Sequence, residues 1–175
     1  MRRMNDLLAP RRSSETGYSS PRPTMQQDET ALVKEALRQA RETLARGDRL
    51  LPAAYMLVQC NPQTGAPLTY PTAIGMNVDK PFESADAYRE FVATLREEAR
   101  RLRAIAVAIG GEARAEVEGE AKPRAVFYLR IEDADGVHHL HAPIERAPSG
   151  QTRLGTLVDA GDAPDDLPEP LLPRS

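Results

Sequence analysis

Residues 125–145 constrain the fold more than any other stretch of this chain. Ala125–Glu132 alternates apolar and polar, with Phe127, Leu129 and Ile131 on one side. Asp133-Ala134-Asp135-Gly136 follows, and Val137–Glu145 resumes the alternation with Leu140, Ala142 and Ile144 facing inward. A period of two marks strands with one covered face, and Asp and Gly supply the backbone conformations of a tight reversal. The segment is therefore a β-hairpin. Two strands are not stable alone in water, so the rest of the chain must cover the apolar face.

Two helical patterns offer that cover. In Asp28–Arg46 the residues Val33, Leu37, Ala40 and Leu44 recur at helical spacing, with Leu32 and Ala36 beside them. Asp28 or Thr30 is the expected N-cap, Glu42 and Arg46 stand four apart for an ion pair, and Gly47 is placed to end the helix. In Ser84–Arg103 the apolar face is Tyr88, Phe91, Val92, Leu95, Ala99 and Leu102, with Ser84 as N-cap and Asp86 near the positive helix end.

Leu51–Cys60 is short and apolar and reads as a well-buried strand; Asn61–Gly65 is turn chemistry. Leu68–Met76 is a weaker strand, placed at an edge by Pro67 and Pro71, whose missing N–H groups cost nothing there. Ala104–Ile109 is another, with Gly110-Gly111 expected to bulge or bend it before Glu112–Val117 continues extended. A last short strand is expected at Leu154–Val158. The order is α-β-β-α-β-β-β. The expected class is α+β, with both helices on one face of a mostly antiparallel sheet of about five strands.

This domain is expected over residues 28–147, between a disordered basic arm (1–27) and a Pro/Asp-rich, mostly disordered acidic tail (148–175). The arm carries five Arg against two acids, the tail five acids against two Arg, and the net charge of the chain is −3. That balance gives no general attraction for nucleic acid, and three Phe, five Tyr and no Trp leave few aromatics for base stacking. No apolar run reaches the roughly 20 residues of a membrane span. The arm is too polar for a secretory signal. A single Cys, Cys60, excludes an internal disulfide framework and fits a reducing compartment, so the expected location is the cytoplasm.

Little in the sequence suggests catalysis. There is no phosphate loop, dinucleotide fingerprint, nucleophile elbow or HExxH helix, and no cofactor is expected. Asp133-x-Asp135-Gly136 lacks the flanking acids of a calcium loop and reads as a turn. Arg100, Arg101 and Arg103 complement a helix C-terminus. All three histidines lie in Val137-His138-His139-Leu140-His141; alternation puts His139 and His141 on one outward face and His138 with Leu140.

His139-x-His141 followed after seven residues by Ser149 resembles the JAMM-type metalloprotease signature, His-x-His, seven residues, Ser, two residues, Asp. The resemblance covers about a dozen residues and implies zinc held by His139 and His141. Thr152 stands where the signature has its Asp, and no upstream Glu is placed as general base. The leading expectation is therefore a non-enzymatic interaction or accessory module, its partner another protein. The alternative is a metal-dependent hydrolase using the His139/His141 pair.

Overall fold

A computed structural model describes residues 23–161, 167 and 169–172 of the chain, with side chains from Thr30 onward. In chain order the elements are α1 (Pro23–Ala45), β1 (Ala53–Cys60), β2 (Pro67–Asn77), α2 (Ala85–Arg101), β3 (Ala106–Ala115), β4 (Arg124–Asp133), β5 (Gly136–Arg146), β6 (Thr152–Leu154) and β7 (Val158–Asp159). The strands form one sheet in the order β2-β1-β3-β4-β5-β6, with β7 also on β5, and every pairing is antiparallel. The α+β class stands, with seven strands rather than about five.

The helices do not share a face. Seven of the eight residues of β1 are buried, which requires cover on both sides of the sheet. Ala53, Tyr55 and Leu57 cluster with Leu32, Ala36, Ala40 and Leu44 of α1. Ala54, Met56, Val58 and Cys60 cluster with Val92, Leu95 and Ala99 of α2. The result is three layers, helix–sheet–helix. The continuous apolar run Ala53–Val58 is the cause, because a strand without alternation has no face to give to water.

Helix α1 starts at Pro23, earlier than expected, so residues 23–27 belong to it rather than to a free arm, and Asp28 and Thr30 lie inside the helix instead of capping it. Proline suits the first helical turn, where its missing N–H would go unpaired in any case. Residues 1–22 of the expected arm lie outside the described residues. The centre of the buried stripe is Leu32-Ala36-Ala40-Leu44, with Val33 and Leu37 half-buried beside it. Arg38 takes both Glu35 and Glu42 as partners, and Arg46 pairs with Asp48 rather than with Glu42.

Gly47 ends α1 as expected. At φ +80° it lets its N–H reach the Leu44 carbonyl and that of Asp48 reach Thr43. Helix α2 begins on the Ser84 hydroxyl, which accepts the Ala87 N–H at 3.1 Å. It closes with the same C-terminal bond pattern, from Arg103 to Arg100 and from Ala104 to Ala99, but with Arg103 at φ +50° in the glycine position.

The hairpin β4–β5 is as expected, its turn held by the Asp133 carboxylate, which accepts the N–H groups of Asp135 and Gly136. No bulge interrupts β3: its register with β4 is continuous from Val107 to Ala115. Gly110 is needed for space instead. A Cβ there would lie 3.0 Å from the Leu129 side chain and 3.3 Å from the Phe127 ring.

Strand β2 lies at the sheet edge, as its prolines imply. Two short strands, β6 and β7, replace the single one expected at Leu154–Val158, and both cover β5. Residues 169–172, expected in the acidic tail, lie on the α2 face. Leu171 is only 1% exposed there, and Arg96 donates to the carbonyls of Pro170 and Glu169. Residues 162–166, 168 and 173–175 of that tail lie outside the described residues. No described helix is long and apolar enough to cross a membrane.

Two substitutions test this packing by chemical denaturation. Leu95→Ala, at a fully buried site, should cost about 2–5 kcal/mol, and half-buried Leu37→Ala clearly less; equal costs would contradict the geometry of the two faces. Arg103→Gly should stabilise by about 0.5–1 kcal/mol, because relief of the left-handed strain exceeds glycine's entropic cost.

Candidate functional site

The three histidines divide as alternation requires, but the face carrying His139 and His141 is not outward. His139 is 6% exposed and sits opposite Arg130, while the half-buried His141 sits opposite Tyr128. The Tyr128 hydroxyl hydrogen-bonds His139 Nδ1, and the two rings stack with centroids 5.7 Å apart. His138 lies on the other face, 3.8 Å from Asp133.

The remaining positions of the metalloprotease pattern do not converge on this pair. Ser149 lies in the tight turn between β5 and β6. Thr152 pairs with Arg146, five residues along β5 from His141 and hence roughly 16 Å away at strand spacing. Among the described residues, no group of three or more His, Cys, Asp and Glu side chains is placed to hold a metal ion.

Next to His139 lies a buried ion pair. Arg130 and Glu132 are 3% and 5% exposed, with Nη1 of the arginine 3.1 Å from the carboxylate. Glu132 also accepts the backbone N–H groups of Leu171 and Leu172, each at 3.0 Å. A buried carboxylate is tolerable only when charge and lone pairs are matched in this way. Glu132 thus fastens residues 171–172 to the α2 face. Its oxygens are engaged in holding the fold.

Other candidates are likewise absorbed by the structure. Cys60 is buried in the α2 face. Arg101 pairs with Glu98 and donates to the Pro62 carbonyl, and Arg103 forms the helix end.

An open concavity lies elsewhere, at the C-terminal end of α1. The α1–β1 loop, the start of β1 and the end of β2 enclose a cleft of about 420 Å³ with Gln39, Ala40 and Thr43 of α1. The lining includes Leu50, Leu51, Ala53 and Phe127 as apolar residues, and Arg46, Asp48 and Arg49 as charged ones. On β2, Gly75 leaves room for the Gln39 amide, whose Nε2 would stand 2.9 Å from a Cβ there. Gln39 in turn donates to Glu35 at 2.7 Å.

Tyr55 is the unusual member of the lining. The residue is 3% exposed, yet its hydroxyl has no hydrogen-bond partner among the described residues. Among the described residues no fully buried polar side-chain atom lacks a partner, so this hydroxyl keeps some exposure, and Tyr55 lines the cleft. Burial, reinforced by the nearby Glu35 charge and opposed by Arg38, pushes the phenol up to about 12. Glu35 itself is held below the usual carboxylate range, first by its hydrogen bond to Arg38. The Tyr55 hydroxyl is therefore a proton donor throughout the neutral range.

Sequence reasoning passed over this site because no motif marks it. A signal was nonetheless present: one polar atom in an otherwise apolar strand, Ala53-Ala54-Tyr55-Met56-Leu57-Val58, must find a partner or an opening. No protein-family model, curated protein or solved structure matches this chain significantly.

Tyr55 should reveal itself on titration. Its folded-state value of about 12 lies above the ordinary 10, so ionisation favours the unfolded chain. Stability should be unaffected below pH 10 and fall as the pH rises from 10 towards 12. Tyr55→Phe should flatten that decline, measured by denaturant unfolding across the interval; an unchanged slope would contradict the burial of the phenol.

Proposed function

We propose that this chain is a non-enzymatic binding module, an accessory rather than a catalyst, and that the cleft at the end of α1 is its recognition site. One observation carries the reading: a buried phenol whose hydroxyl has no described partner opens into a concavity of about 420 Å³. That volume falls within the range of small-ligand sites, and the lining mixes polar and apolar groups.

The lining argues for holding rather than transforming. It contains no His, Cys or Ser. Its acid, Asp48, is paired with Arg46, and its Thr43 hydroxyl donates to the Gln39 carbonyl. Nucleophilic or general-base chemistry requires a reactive group within hydrogen-bond reach of an activating one, and these groups are committed elsewhere. Hydrogen-bonding groups beside apolar side chains remain, which suffices for recognition. The setting we propose is cytoplasmic, consistent with a single buried thiol, Cys60.

Backbone-resolved NMR with a library of small polar-aromatic fragments tests the site. Shift changes should cluster at Gln39, Thr43, Tyr55, Asn77 and Val78 and weaken in Tyr55→Phe. Fragments that ignore the cleft would refute the proposal. Stoichiometric zinc uptake in untagged protein, lost in a His139→Ala/His141→Ala variant, would instead favour the metal-dependent hydrolase.

A further inference from the structure

We infer that β2 is a dimerisation edge: it pairs antiparallel with β2 of a second copy of this chain, about a two-fold axis at Gly75. This surface is distinct from the cleft, although Asn77 borders both.

The sheet ends differently on its two sides. Beyond β5 lie β6 and β7, three and two residues long, and very short edge strands resist further pairing. Strand β2 has 11 residues, and β1 is its only partner strand among the described residues. It contains no Asp, Glu, Lys or Arg, the side chains that commonly keep an edge apart from other strands. Its protection is proline, at Pro67 and Pro71, which leaves the second half unguarded.

Hydrogen-bond parity identifies the open groups. Val78 donates to the Pro52 carbonyl, and the register with β1 is continuous from Asn77↔Ala53 to Thr72↔Val58. Alternate residues of an antiparallel strand bond to a given neighbour. Thr72, Ile74 and Met76 therefore bond to β1, while Ala73, Gly75 and Asn77 turn their N–H and C=O groups away from it. No loop or further strand among the described residues bonds to these backbone groups. Pro71 belongs to the same outward set but has no N–H to offer.

That pattern fixes the register of a second copy. With Gly75 on the axis, the two Gly75 residues exchange both bonds, and Ala73 exchanges both with Asn77 of the second copy. Every open group is then paired. Sliding one way sets Pro71 opposite Gly75 or Asn77, whose carbonyl finds no N–H; sliding the other way carries Ala73 past the strand end.

The side chains agree with this register. Ile74 and Met76 lie on the α2 face and are only half-buried there. Ile74 would stand opposite Met76 of the second copy in a non-hydrogen-bonded pair, where side chains approach most closely. No like charges meet, since the strand carries none. A foreign strand would need its own match to this pattern, whereas a second copy has it by symmetry, the two-fold dimer being the commonest assembly. So short a contact is smaller than the standard interface of about 800 Å² per partner, and a weak dimer is expected, with Kd on the order of 10–100 µM.

Sedimentation of the full chain between about 5 µM and 1 mM, which brackets that range, tests the association. Amide hydrogen exchange read by NMR at the two extremes tests the edge. The amides of Ala73, Gly75 and Asn77 should exchange at least about tenfold more slowly at the higher concentration, whereas Ile74 and Met76 are protected at both. Ala73→Pro removes an outward N–H, as Pro71 already does two residues earlier. It should keep the melting temperature and weaken association at least about tenfold, by loss of two bonds per dimer. Asn77→Pro does the same from the other end and decides the matter should Ala73→Pro fail to fold.

A chain that stays monomeric throughout would overturn the dimer. So would a dimer that survives the folded proline variants, or one whose three amides still exchange fast. Concentration-independent protection of these amides would assign the edge to another segment of the same chain. Protection of a monomer only by an added Thr-Val repeat peptide would assign it to a foreign strand; either result removes the second copy.

Discussion

A strand that gives no face to water organises this molecule. In β1, Met56, Leu57 and Val58 are at most 2% exposed, and burying each such side chain is worth about 1.5–3 kcal/mol relative to leaving it wet. That gain is available only if apolar cover arrives from both sides. Helix α1 supplies one layer from before the strand. Helix α2, crossing between β2 and β3, supplies the other and leaves those strands on either side of β1. The cleft is a by-product of the same arrangement: where α1 ends at Gly47 and the chain returns to enter β1, the cover over Tyr55 is incomplete.

Local features were legible in the sequence wherever a short stretch decides its own conformation. The Asp133–Gly136 turn, the Ser84 cap and the Gly47 terminus each depend on a few neighbouring residues, and all are present. Assigning layers required a relation between distant segments. Alternation in β4 pointed to one covered face, yet its other side carries Arg130 and Glu132, polar residues that are as buried as the apolar ones. Nothing local announces that a carboxylate will be sealed by residues 171 and 172. For the same reason the face expected to be outward instead buries His139 and half-buries His141. The site escaped because its parts come from α1, the α1–β1 loop, β1, β2 and β4, a combination that only the folded chain assembles.

The two faces of the sheet are held by different physics. Against α1 the contact is almost purely apolar, with charges confined to the wet side of the helix, as in the Glu35–Arg38–Glu42 group. Against α2, apolar packing sits beside a polar cluster of Tyr128, Arg130, Glu132 and His139. A buried ion pair contributes little net stability compared with hydrocarbon of the same shape, but it tolerates few alternative arrangements. Glu132 therefore acts as a register pin: hydrocarbon alone would let residues 169–172 slide along the face, whereas two N–H groups converging on one carboxylate admit a single alignment.

That pin has a consequence for biogenesis. Leu171 follows Glu132 by 39 residues, and at roughly 5–20 residues per second of synthesis it is added to the chain about 2–8 s later. Helices and hairpins form in microseconds, so α1, α2 and the β3–β4–β5 ribbon have time to assemble while the Glu132 carboxylate is still hydrated. During that interval the α2 layer lacks its Leu171 plug, and a hydrophobic seam stays open on a nascent chain that otherwise resembles the finished one.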